Sequence, residues 1–72
     1  MTRSEHLEWC KRRAREYLDR RDVKNAVASM LSDLSKHPET ALPPGNVLTT
    51  LGMMTVMQND LDGARRFVEG FN

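Results

Sequence analysis

Apolar residues recur at helical spacing in four blocks along this chain. In the first block Leu7, Cys10, Ala14, Tyr17 and Leu18 form one stripe. Thr2 and Glu5 have the spacing of a capping box, with Ser4 as a second candidate cap. A first helix is therefore predicted to begin near residues 3–5 and to end around Asp19–Arg21. In the second block Val23, Ala26, Val27, Met30, Leu31 and Leu34 follow a candidate N-cap, Asp22. Lys36 and His37 suit the negative end of this helix, and Pro38 is expected to stop it.

Residues 39–45 break the pattern, and Pro43-Pro44-Gly45 marks a loop. Asn46 can cap a third helix running to about Gln58. Its apolar residues, Val47, Leu48, Leu51, Met53, Met54, Val56 and Met57, spread around most of the circumference. Such a helix is either central to the fold or covered by a partner. Asn59-Asp60 makes the next turn. Leu61, Ala64, Phe67, Val68 and Phe71 then give a fourth stripe, which Gly70 is expected to end. Strict alternation is absent, so no strand is predicted. The reading is all-α: four helices in two antiparallel hairpins within one small domain, 1–72. Hairpin one spans about 3–37, the loop 38–45, and hairpin two about 46–70.

The two hairpins are related by a shift of 38 residues. That shift lays Asp22-Val23-Lys24-Asn25-Ala26 on Asp60-Leu61-Asp62-Gly63-Ala64, and Ala14, Leu18 and Met30 on Gly52, Val56 and Val68. A period of 20–50 residues is characteristic of stacked supersecondary units. The doubled chain resembles a divergent tetratricopeptide (TPR) pair. Ala14, Tyr17, Ala26 and Pro38 stand at the glycine, tyrosine, alanine and proline places of that pattern, and Met30 at its aromatic place. Leu51-Gly52, Ala64 and Val68 do so in the second unit. Cys10 and Leu48 replace its tryptophan, Arg13 its leucine, and the spacing is four residues longer. A compact four-helix bundle is the competing architecture. The resemblance implies protein binding, with the first helix of each hairpin lining a shared surface.

A second resemblance covers the whole chain. The His-Leu-Glu-Trp-Cys-Lys start, Lys36-His37-Pro38-Glu39-Thr40, Leu51-Gly52-Met53-Met54 and the Arg66–Asn72 end look like small proteins of tailed phages and prophages. This implies a phage-encoded accessory protein in a bacterial cytoplasm, acting on a host or defence protein, and supplies no site.

Composition narrows the functions. At 72 residues the stability margin is thin, and with Cys10 as the one cysteine no disulfide reinforces it. A lone thiol and no long apolar run lead to the expectation of a cytoplasmic protein without a membrane span. Net charge is +1, but residues 1–21 hold seven Lys/Arg against four Asp/Glu. Glu8/Arg12, Arg12/Glu16, Arg15/Asp19 and Glu16/Arg20 are expected to pair at i,i+4.

No catalytic constellation is legible, so catalysis and cofactors are not expected. His6/Cys10 and Asp33/His37, each at i,i+4, lie where a hairpin brings helix ends together. Without Cys-x-x-Cys spacing they are read as a buried thiol and two surface imidazoles, with no metal site assigned. Partner binding is expected to use Trp9, Lys11, Arg15, Met53 and Met57, joining cations to polarizable side chains. Met53, Met54 and Met57 have a plainer alternative as core filling, and Trp9 as a cover for the core edge. A homodimer through the third-helix methionines is a further possibility. The alternative function is nucleic-acid binding by Arg12, Arg13 and Arg15, against a plainer reading as a solvated helix face.

Overall fold

The computed structural model describes residues 2–43 and 45–71. Met1, Asn72 and the second proline of the expected break, Pro44, lie outside the described residues. The helices are α1 (Arg3–Asp19), α2 (Val23–Leu34), α3 (Val47–Met57) and α4 (Leu61–Glu69), with no strand among the described residues.

Each helix starts where its side-chain cap dictates. Thr2 Oγ1 accepts the Glu5 N–H at 3.1 Å, and Glu5 Oε1 accepts the Thr2 N–H at 2.9 Å, a complete capping box. Asp22 accepts the Asn25 N–H, Asn46 the Leu48 N–H, and Asp60 the Gly63 N–H. After the loop, Gly45 takes φ 77° and the Asn46 N–H reaches Pro43 O at 3.2 Å.

The 38-residue doubling holds at the level of backbone hydrogen bonds. In the α1–α2 turn, the N–H groups of Arg21, Asp22 and Ala26 bond the carbonyls of Leu18, Tyr17 and Asp22. In the α3–α4 turn, those of Asn59, Asp60 and Ala64 bond Val56, Thr55 and Asp60, each 38 positions on. Both turns pass through a left-handed residue, Arg21 (φ 60°) and Asn59 (φ 49°), closing a Schellman motif before the aspartate caps the next helix.

α2 ends at Leu34, before the expected stop. In a continued helix residue 38 would donate to Leu34 O, and Pro38 has no N–H to give; His37, preceding proline, is disfavoured in helical geometry. The Leu34 carbonyl is closed instead by Thr40 Oγ1–H at 2.6 Å and the His37 N–H at 3.4 Å.

The core comes from three helices. Leu7, Cys10, Ala14 and Leu18 of α1 meet Val23, Ala26, Val27, Met30 and Leu34 of α2 and Ala64 and Val68 of α4. Alanines where helices cross let the backbones approach. α3 packs on α2 and α4 but not on α1, and Gly52 is its one buried residue among those described. A Cβ on Gly52 would stand 2.8 Å from Phe67 Cζ, so that glycine sets the α3–α4 spacing.

Candidate functional site

One charged side chain of the first hairpin, Asp33, turns inward and draws two part-exposed cations over it. Asp33, 2 % exposed, receives Arg13 Nε at 2.7 Å and Lys36 Nζ at 3.1 Å, with the Ser29 hydroxyl donating at 3.3 Å. Burial opposes ionisation, but hydrogen bonds from Lys36 and Arg13 outweigh it and hold the carboxyl below its ordinary range. His6, read from sequence as a surface imidazole, is buried. Its Nε2–H donates to Asp33 O at 2.9 Å, and Cys10 Sγ lies 3.5 Å from the same nitrogen.

The His6 ring also stacks on Trp9 (5.5 Å) and tilts against His37 (5.2 Å). Helix ends do bring His6, Cys10, Asp33 and His37 into one region, as the hairpin requires. Among the described residues, however, no group of three such side chains is arranged to hold a metal ion. Burial, reinforced by the Asp33 charge, pushes the Cys10 thiol up.

Trp9 packs against the core edge. The Arg13 guanidinium lies 4.9 Å and Lys36 Nζ 5.4 Å from its ring centre. Lys11 and Arg15 are engaged within the molecule, where they dock the end of α4. Arg15 donates through Nε and Nη2 to the two oxygens of Glu69 (2.6 and 2.9 Å) and through Nη1 to Glu8 (2.8 Å). Lys11 Nζ donates to Glu69 O at 3.3 Å, at the negative end of that helix. Hydrogen bonds from Arg15 hold the Glu69 and Glu8 carboxyls below their ordinary values. None of the four expected i,i+4 pairs is among the ion pairs of the described residues: Arg15 reaches Glu8 and Glu69 in place of Asp19, and Arg20 lies over the Tyr17 ring. Of Arg12, Arg13 and Arg15, two are thus held in ion pairs, and Arg12 is exposed.

α3 is the opposite case. Val47, Leu48, Leu51, Met53, Met54 and Met57 account for every exposed large hydrophobic side chain among the described residues, and Met57 reaches 83 %. The methionines therefore do not fill the core. Beside this face lies a cavity of about 730 Å³ between α3, α4 and the adjoining ends of α1 and α2, walled by Leu7, Leu34, Leu48, Leu51, Met54 and Phe67. Phe67 is braced edge-on by Phe71 at 5.2 Å.

The α1 residues facing α3 across this cavity include Arg3 and Leu7, not Trp9, Lys11 or Arg15. The five expected partner-binding residues therefore do not form one patch: Met53 and Met57 are exposed on α3, and the other three serve the α1–α2 and α1–α4 contacts. Leu51 and Met54, which carry both the outer face and the cavity wall, were not among the five residues expected to bind a partner; Met54 entered only as a core or homodimer methionine. The available signal was the absence of a charged face on the third helix.

No described helix is long and apolar enough to cross a membrane. Compared with known proteins, the chain matches no protein-family model, no curated protein and no solved structure.

Proposed function

We propose that this chain is a small non-catalytic protein–protein interaction module that docks through the outer face of α3 and the cavity beside it. The observation that carries this reading is the concentration of exposed apolar side chains on one helix. Scattered single hydrophobics are normal on a surface, whereas a contiguous apolar patch marks an interaction site. Methionine suits such a site, because its flexible, polarizable thioether adapts to a partner's shape. The non-catalytic part is supported by the chemistry of the buried groups. Cys10 is fully buried with its thiol pushed up, and the Asp33 carboxylate is neutralised by two cations.

The phage-protein resemblance makes a bacterial host or defence protein the partner of this reading. Lys11 and Arg15 contact the end of α4 and Trp9 packs at the core edge, so this reading rests on the α3 residues. The test is affinity capture followed by titration of the purified candidate against wild type, Leu51→Lys and Met54→Lys. One-to-one binding lost in both variants is expected; binding that both retain would overturn the assignment to α3.

A further inference from the structure

We propose that the outer face of α3 is a self-association surface, and that its occupant is α3 of a second copy packed antiparallel about a two-fold axis. This rests on the reading of α3 as a docking face and differs in the occupant, a second copy in place of a host protein.

The first argument is periodicity. Val47, Leu51, Met54 and Met57, spaced i, i+4, i+7 and i+10, share the side of α3 opposite Gly52 and Val56. A stripe of this kind is what a second helix packs against.

The second is charge. No charged residue occurs from Ala41 to Asn59, a run covering α3 and both its flanks, although 21 of the 72 residues are Lys, Arg, Asp or Glu. A two-fold contact sets a patch against itself, so any charge near the axis meets its own kind. α3 itself satisfies that condition, and Arg3, Glu39, Asp60 and Arg66 stand on other segments that border the cavity beside it. Antiparallel pairing also sets the positive end of each helix beside the negative end of the other.

The third is area. The four stripe residues, exposed by between 46 % and 83 %, amount to roughly 400–500 Å² of apolar surface, about half of the ~800 Å² per partner in a standard interface and the size of a weak, concentration-dependent contact. The fourth is anchoring: α3 buries Gly52 alone among the described residues, so a second layer gives it the covering that the three-helix core does not. A two-fold axis midway between Leu51 and Met54 places Leu51 of one copy against Met54 of the other, twice, with each Val47 near the partner's Met57.

Sedimentation velocity over about a hundredfold concentration range tests this on the full chain. Wild type is expected to shift from monomer to dimer. Leu51→Lys and Met54→Glu, both at exposed positions, are each expected to weaken self-association on the order of thirtyfold, with helical circular dichroism retained. Mixing these two variants is expected to restore a heterodimer, because the symmetry sets Lys against Glu once. A monomeric wild type, or a dimer that neither variant weakens, overturns the proposal. Binding of an apolar fluorescent probe, compared between wild type and Leu51→Lys, separates the two readings. A monomer whose probe binding is lost in the variant overturns the second copy alone. A monomer that binds no probe overturns the docking surface as well.

Discussion

Arg13 Nε lies 2.7 Å from Asp33 Oδ2, and through that contact an exposed cation of α1 fixes the buried carboxylate of α2. The same guanidinium covers Trp9, so one side chain links the hairpin's ion pair to its aromatic edge. Arg13 and Lys36 are themselves 45 % and 55 % exposed, so both regain water if the carboxylate is removed. Asp33→Ala is therefore expected to destabilise by about 1–3 kcal/mol, below the 3–5 typical of breaking a fully buried pair. Urea denaturation measures the difference; an unchanged midpoint would count against a structural role for Asp33.

Acid dependence follows from the same groups. Asp33 and Glu69 are both held below their ordinary values when folded, so the unfolded chain binds more protons in acid. Their contribution is complete above the ordinary carboxylate range, about pH 4–5, and is lost as pH falls through the lowered folded values. Denaturation midpoints should fall as the pH drops below about 5. Asp33→Asn should flatten part of that fall. A wild type more stable at pH 3 than at pH 6 would contradict the sign.

The Arg15–Glu69 pair docks α4 on α1 at the surface, with side chains 35 % and 44 % exposed. Solvent screening limits such a pair, even a two-pronged one, to roughly 0.5–1 kcal/mol of coupling. A double-mutant cycle of Arg15→Ala and Glu69→Ala should return that value and lose it at high salt. Amide exchange in α4 should quicken in either single variant.

Arg21 occupies the left-handed position that glycine fills in most Schellman turns. Arg21→Gly should raise stability by about 0.5–1 kcal/mol, the relief of left-handed strain exceeding glycine's greater unfolded-state freedom. Asn59→Gly should gain less, since asparagine tolerates that conformation. Thermal melts of the two variants compare the two halves of the doubled turn directly.

Gly52 and Phe67 are matched in shape. Gly52→Leu should cost about 1–3 kcal/mol by overpacking against the ring. In a Phe67→Ala background the added side chain has space, and the penalty should shrink or change sign. Additive effects would place the strain elsewhere.

Much of this fold was legible because it is written locally. Thr2, Asp22, Asn46 and Asp60 act on backbone within three residues, and the stripes of α1, α2 and α4 report burial on one helix at a time. The end of α2 was less so, because Thr40 closes it from six residues away. The surface was least legible. Arg15 has acidic neighbours on its own helix, yet Glu69, 54 residues distant, takes most of its donors. Asp33 is buried with its ion pairs only because the hairpin brings Arg13 and His6 over it from α1. For α3 the pattern left two alternatives, central helix or covered face, and only the packing of the other three helices shows that it is not central.

Cys10 turns the core into its own clock. Its thiol is fully buried and pushed toward the protonated form by burial and by the Asp33 charge, so an alkylating reagent meets no reactive sulfur in the closed protein. Labelling then proceeds no faster than α1 lifts from α2, and at reagent concentrations where alkylation outpaces reclosing its rate counts those openings. Anything that settles on this protein and tightens it should slow that count.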